Sequence, residues 1–212
     1  MIRIVIADDH PIVREGLQRV LAREPDIQVV GEAATGTEVL PLVRSAGADV
    51  VILDISMPGG GGIEALGALK REFPAIPVLM LSMYPERQYA VRCLKAGAAG
   101  YLTKDTAQSE LVVALRRILE GRRYVSAALA DHLAGSLGST GPKAAHETLS
   151  EREYQVMMLF ARGLTATAIA AELSLSVPTV HTYRMRILEK LHLSTTPEIM
   201  HYAFTHHLLE GS

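Results

Sequence analysis

The chain has a single cysteine, Cys93, among its 212 residues, so no internal disulfide can form and a reducing compartment is expected. It has no apolar run near the roughly 20 residues that a membrane span requires. The N-terminus enters an apolar run at once, without the basic stretch and cleavage signal of a secretory leader. A cytoplasmic location is the expectation. An excess of basic charge is also missing. The net charge is −2, residues 121–212 hold eight Lys/Arg against eight Asp/Glu, and residues 145–212 hold five against seven. Capture of nucleic acid by bulk charge is therefore disfavoured. Seven of the eight histidines lie beyond residue 130, so partial protonation near neutral pH would raise the charge of that half. Cys93, on an apolar helix face, reads as a small core residue.

What is present is a set of short apolar runs, each ending in a polar side chain. Residues 2–7 lead into Asp8 and Asp9, 50–53 into Asp54, 78–81 into Ser82, and 99–102 into Thr103 and Lys104. Runs rich in Val, Ile and Leu and bounded by turn residues read as strands buried on both faces. Five strands are expected near 2–7, 27–32, 49–53, 76–81 and 99–102. Helices alternate with them near 11–23, 36–46, 62–72, 86–96 and 107–120. Regular alternation requires crossover connections, hence a doubly wound α/β domain with a five-stranded parallel sheet over 1–121. In such sheets the carboxyl ends of the strands share one edge, where ligands bind.

After Gly121 the pattern changes. A linker helix over 125–137 and a flexible stretch at 138–142 make 122–144 a connecting region. From 145 to 212 only helices are expected. Ser150 to Glu153 has capping-box spacing and opens a helix to Ala161. Thr165 caps a second helix ending near Leu173, Ser176 caps a third with Pro178 in its first turn, and Thr196-Pro197-Glu198 starts a fourth, to about Leu209. The second and third are joined by a short turn, which suits a helix-turn-helix. At 100° per residue, Val180, Tyr183, Ile187 and Leu191 share one side of the third helix. His181, Thr182, Met185, Arg186 and Glu189 share the other, where they could meet base edges in a major groove. Thr179, Arg184 and Lys190 flank that face as candidate phosphate contacts.

Asp8, Asp9 and Asp54 cannot all ionise within a few ångströms of one another without a compensating cation. A hard divalent ion with oxygen ligands, Mg²⁺ or Mn²⁺, resolves the repulsion. A carboxylate beside such an ion is a competent nucleophile for a phosphoryl group. Lys104 and the Ser82 hydroxyl are placed to meet the charge spread over the phosphoryl oxygens. The loop Met57-Pro58-Gly59-Gly60-Gly61-Gly62 gives the backbone after Asp54 room near the site. His10, next to the acidic pair, reads as a helix-start residue.

Ala7-Asp8-Asp9-His10, Leu53 to Pro58, Leu81-Ser82 and Gly100 to Lys104 resemble a response-regulator receiver domain of flavodoxin-like fold. The resemblance implies Asp54 as phospho-acceptor, with Asp9 and Asp54 as direct metal ligands. It makes Asp8 an outer ligand and the Ser56 carbonyl a backbone ligand. It also implies that Ser82 and Tyr101 form a switch, the hydroxyl moving towards the phosphoryl group and the ring turning inward. Leu149 to Glu153, Gly163-Leu164-Thr165, Ile169-Ala170, Leu173, Ser176, Thr179-Val180 and Lys190-Leu191 resemble the LuxR-type helix-turn-helix. Together the two halves are similar to the NarL/FixJ class of response regulators, and the run from Thr182 to Leu191 to its GacA/UvrY-like branch. The implied partners are a sensor histidine kinase, a double-stranded DNA operator, a second copy of the chain when phosphorylated, and RNA polymerase as a further candidate. Ala166, Thr167 and Ala168 stand where the family often has Asn-Lys-Glu, and His181 where a Lys is common. Both departures point to modest DNA affinity for a monomer and greater dependence on pairing of two half-sites.

Two other readings share these residues. A Mg²⁺-dependent phosphohydrolase would use Asp54 as nucleophile, but Ser56 stands where such an enzyme would carry an acid two residues on. A protein-interaction module would leave the C-terminal helices off DNA, in keeping with their neutral charge.

Overall fold

The computed structural model describes residues 1–127, 129–130 and 144–209. Two compact units divide the chain, residues 1–136 and 137–212. In the first, strands β1 (Ile2–Ala7), β2 (Ile27–Ala33), β3 (Val50–Asp54), β4 (Val78–Ser82) and β5 (Gly100–Thr103) alternate with helices. The helices are α1 (Pro11–Leu21), α2 (Gly36–Ala46), α3 (Gly61–Glu72), α4 (Glu86–Lys95) and α5 (Lys104–Leu119). The strands form one parallel sheet in the order β2-β1-β3-β4-β5. The direction of winding reverses between β1 and β3, and the carboxyl ends of those two neighbours carry Asp8, Asp9 and Asp54.

Strands β3 and β4, and β1 from Ile4 to Ala7, are buried because both faces are covered, whereas β2 at the edge is mostly half-buried or exposed. Ile4, Ile6, Ile52, Leu79 and Leu81 pack with Leu111 and Leu115 of α5, all at 5% exposure or less. Truncating one of these to Ala would cost about 2–5 kcal/mol. In-register pairing of Ala7 with Leu53, Asp54 with Leu81 and Ser82 with Thr103 brings the polar strand ends to one level. After β3 the chain turns back through Gly59, Gly60 and Gly61, all at positive φ. Gly62 then lies so close to β3 that a Cβ there would stand 1.7 Å from the Asp54 carbonyl oxygen. Only glycine lets α3 begin at that depth, and this holds the chain after Asp54 open at the site.

The sheet pattern does not stop at α5. Tyr124 makes a parallel bridge with Gly100: its N–H donates to the Ala99 carbonyl at 2.9 Å, and its own carbonyl accepts from Tyr101 N–H at 3.1 Å. Two residues on, Ser126 gives both its backbone N–H (3.0 Å) and its hydroxyl to the Glu86 carboxylate at the start of α4. The Ser126 hydroxyl oxygen also accepts from Leu129 N–H at 3.1 Å, opening a helical turn. Most of the expected linker helix, and all of 138–142, lie outside the described residues.

The second unit contains a 3-10 turn (Ala145–Thr148), α6 (Glu151–Ala161), α7 (Ala166–Glu172), α8 (Val177–Leu191) and α9 (Thr196–Thr205). Ser150 and Glu153 close a capping box on α6, and Thr165 and Ser176 accept backbone N–H bonds at the starts of α7 and α8. Each such cap stabilises by about 1 kcal/mol. Helix α6 is buried from Arg152 to Ala161 and packs on α8 and α9, so it is the unit's central element. Ser174, at φ 52°, turns the chain sharply between α7 and α8.

Candidate functional site

The polar strand ends converge. Asp8, Asp54 and Ser82 are 0%, 1% and 0% exposed, a burial that carboxylates tolerate only with compensating charge. Lys104 Nζ lies 2.8 Å from Asp8 Oδ2 and 3.2 Å from Asp54 Oδ2. The two carboxylates thus share one buried ammonium. Burial raises the Asp54 carboxyl from 3.8 to about 6, the Lys104 charge opposes the rise, and Asp8 and Asp9 reinforce it. Burial pushes Lys104 down, but Asp54 and Asp8 outweigh it and hold the ammonium above its ordinary value. One ammonium thus faces three carboxylates, a deficit of two positive charges when all are ionised. A divalent cation fits that deficit, and one ligand atom each from Asp8, Asp9, His10 and Asp54 lie within 4.8 Å of one another. Asp9 and Asp54 face this cluster directly. Ser56 sits two residues after Asp54 in the glycine-led loop, its hydroxyl buried without a hydrogen-bond partner.

Ser82 and Tyr101 meet in the β4–α4 loop. The Ser82 hydroxyl oxygen accepts from Tyr84 N–H at 3.0 Å, and the Tyr101 hydroxyl donates to the Tyr84 carbonyl at 2.9 Å. Tyr101 is only 1% exposed, so its ring lies inside the fold in this conformation. Two groups at this end escaped sequence reasoning. Arg14 donates to the Asp8 carbonyl (2.6 Å) and to Glu32 (2.9 Å), clamping the turn that carries the acidic pair. Glu86 holds Ser126 across 40 residues of sequence, a separation at which no local pattern could signal it.

Helix α8 has the two faces its periodicity implies. Val180, Ile187 and Leu191 are buried, with Leu188 beside them, whereas His181, Thr182, Met185, Arg186 and Glu189 are exposed, Met185 at 68%. The flanking residues are engaged within the unit. The Thr179 hydroxyl lies 2.7 Å from that of Ser176. Arg184 Nε donates to Thr196 at 2.7 Å, and Lys190 Nζ to the buried Glu153 carboxylate at 2.6 Å. Of the arginines and lysine of α8, Arg186 alone has no ion pair or hydrogen bond among the described residues. On α9, Ile199 and Ala203 are buried in the unit's core, while Met200 and Phe204 are exposed at 37% and 73%.

Residues 4–116 match the response regulator receiver domain family. The chain is a response regulator. Residues 147–203 of this regulator match the luxR family of bacterial regulatory proteins. Response regulator GacA of Pseudomonas aeruginosa is 39% identical over 215 residues, covering 100% of both chains. Response regulator UvrY of Escherichia coli K12 is 37% identical, covering 98% of this chain and 96% of its own. Among solved structures, RcsB of Salmonella enterica serovar Typhimurium, bound to promoter P1flhDC with the phosphomimetic BeF3−, superposes with TM-score 0.66 at 30% identity over 99% of each chain. RcsB bound to promoter rprA gives 0.65 at 31% identity, over 95% of this regulator and 97% of that chain. Similarity over the full length of these relatives means that the two-part architecture, and not one half alone, is shared. No helix among the described residues is long and apolar enough to cross a membrane.

Proposed function

We propose that this response regulator is a phosphorylation-controlled transcription factor whose phospho-acceptor is Asp54. The observation that carries the reading is the buried Asp54 carboxylate, open to the cluster on one side and 3.2 Å from Lys104 on the other. A sensor histidine kinase is the donor. The P–N bond of its phosphoimidazole breaks with the electron pair returning to the ring nitrogen, and the Asp54 carboxylate forms the new O–P bond. Asp9, Asp54 and the Ser56 carbonyl would hold a divalent cation, with Asp8 as an outer ligand, and the ion would supply charge stabilisation at the phosphoryl oxygens. Lys104 binds one of those oxygens and the Ser82 hydroxyl another. The product is a stoichiometric aspartyl phosphate, and Ser56 in place of a second acid leaves turnover weak.

Recruitment of Ser82 to the phosphoryl group withdraws the oxygen that now accepts from Tyr84 N–H. The β4–α4 loop then rearranges, and Glu86, two residues further on, carries the change to Ser126 and the connecting region. The rearrangement shifts a two-state equilibrium that frees the C-terminal unit to pair on a two-half-site operator. There His181, Thr182, Met185 and Arg186 face the bases, and Thr179, Arg184 and Lys190 the phosphates. The exposed Met200 and Phe204 support a pairing surface on α9. RNA polymerase is a further partner of the bound dimer. The test is capture of genomic DNA by the full chain with and without acetyl phosphate and Mg²⁺, beside Asp54→Asn. Capture raised by acetyl phosphate in the natural protein alone is expected, whereas equal capture throughout would sink the switch.

The internal partners of Arg184 and Lys190 favour one second reading, a phosphorylation-regulated protein-interaction module. Operator protection that disappears on replacing His181, Thr182 and Arg186 would reject it.

A further inference from the structure

His10 is the N-cap residue of α1 but makes no side-chain capping bond. Its imidazole instead lies against the acidic cluster. Nδ1 stands 2.7 Å from Asp9 Oδ1 and 3.3 Å from Asp8 Oδ1. The His10 backbone N–H donates to the same Asp8 oxygen at 2.9 Å, which fixes the base of the side chain beside the cluster. Nδ1 is hydrogen-bonded to Asp8 Oδ1 at 3.3 Å and stands closer still to Asp9 Oδ1, a buried oxygen with no hydrogen bond of its own, so the nitrogen sits between the two acids. The donor atoms of Asp8, Asp9, His10 and Asp54 lie within 4.8 Å of one another. Ligands about 2.0–2.2 Å from a shared ion are at most about 4.4 Å apart, so a small contraction would bring Nδ1 into one shell with Asp9 and Asp54, Asp8 remaining outside it. Lys104 is drawn to the Oδ2 atoms of Asp8 and Asp54, so it does not occupy the side of the cluster where Asp9 Oδ1 and His10 Nδ1 lie.

Resting on the metal-dependent receiver reading above, we infer that His10 Nδ1 is a direct metal ligand, giving this pocket a preference for first-row transition ions over Mg²⁺. Carboxylate and carbonyl oxygens suit Mg²⁺ and Mn²⁺, whereas an imidazole nitrogen adds affinity for ions such as Co²⁺ and Zn²⁺. Mg²⁺ gives up its waters reluctantly and gains little from a nitrogen donor. The His10 side chain is 62% exposed, so it can swing onto an ion without disturbing the α1 core contacts of Leu17 and Leu21. Lys104 stays on the far oxygens of Asp8 and Asp54, so nitrogen ligation does not compete with it.

The test uses the full chain and three ions, with affinity and spectroscopy as readouts in place of phosphorylation. Co²⁺ and Mg²⁺ are titrated into the natural protein, His10→Ala and His10→Asn, and the Mn²⁺ forms are examined by pulsed EPR for ¹⁴N coupling. Direct ligation gives ¹⁴N coupling in the natural protein and its loss in both variants. Co²⁺ affinity should fall about tenfold or more in His10→Ala, with Mg²⁺ affinity changed by less than about threefold. Absence of ¹⁴N coupling in the natural protein overturns the inference. So does an equal loss for Mg²⁺ and Co²⁺ restored by His10→Asn, which would make His10 a positioning residue for Asp9. Failure of the natural protein to bind any of the ions would overturn the metal-dependent receiver reading itself, a result separable from the other two.

Discussion

Replacing Asp54 by Asn should make the metal-free protein more stable, although Asp54 is the proposed phospho-acceptor. The folded protein holds this carboxyl at about 6 against 3.8 for an ordinary aspartate. Because the folded value is the higher one, the fold tolerates the protonated form and resists the ionised one. The resulting destabilisation is absent well below pH 4, grows as pH rises between the two values, and is complete above the higher. The difference between 3.8 and about 6 corresponds to a destabilisation of at most about 3 kcal/mol. A neutral isostere removes that penalty, and Lys104 keeps Asp8 at 2.8 Å as its partner. Calorimetry of the full chain in EDTA should then show the receiver transition of Asp54→Asn raised by about 4–12 °C at pH 7.5. At pH 4.5 about a third of the free-energy gap should remain. Saturating Mg²⁺ should stabilise the natural protein more, since binding at a hundredfold excess over Kd adds about 2.7 kcal/mol. An Asn variant less stable than the natural protein in EDTA at neutral pH, or a gap independent of pH, would refute the reasoning.

Further outcomes follow from the same geometry. Gly62→Ala would drive a methyl group into the Asp54 carbonyl oxygen and should cost more than about 2 kcal/mol in urea unfolding while lowering acetyl-phosphate labelling, because the β3–α3 loop must withdraw. Lys190→Ala strips the partner from the Glu153 carboxylate, which burial pushes up and Lys190 helps hold below its usual range; melting of the C-terminal unit should fall, most visibly above pH 5 where that carboxylate is ionised. Arg186→Ala, by contrast, should leave melting unchanged and weaken operator binding about tenfold in a mobility-shift assay. Ser126→Ala and Glu86→Ala should each speed hydrogen exchange over 122–130 in the unphosphorylated protein to the rate that acetyl phosphate induces in the natural one; unchanged exchange would exclude Glu86 as the connection.

The architecture is legible because the strands are rich enough in Val, Ile and Leu to mark burial on both faces, and because their polar ends fall at matched register. The joint occurrence of Asp8, Asp9, Asp54, Ser82 and Lys104 therefore marks the pocket in the sequence alone. Boundaries are less visible where polar side chains themselves form the element ends. Helix α5 begins at Lys104 instead of near 107, since Thr103 is extended and the lysine can sit in the first helical turn while reaching back to Asp8 and Asp54. Helix α9 ends at Thr205, with His207 at positive φ, short of the expected Leu209. The 3-10 turn at Ala145–Thr148 has no periodicity to betray it; His146 is tied to the Tyr202 hydroxyl, 56 residues away. The same limit hides the engagements of Arg184 and Lys190. Periodicity assigns a side chain to a face of α8, but an arginine or lysine can reach around that face to a partner on another helix. His10 reads as a plain helix-start residue for a related reason, because capping preferences describe backbone positions and not where an imidazole finally points.

The bridge at Tyr124 has a practical consequence for anyone isolating the receiver. Severing the chain after Gly121, where α5 has ended, would strip β5 of its only outer neighbour among the described residues and bare the Tyr101 N–H and Ala99 carbonyl. An uncovered strand edge is a template for another chain. A fragment ending there should self-associate, and its oligomeric state would then be mistaken for a response to phosphorylation. Extending the fragment past Leu129, which is 1% exposed, keeps the edge closed and the measurement honest.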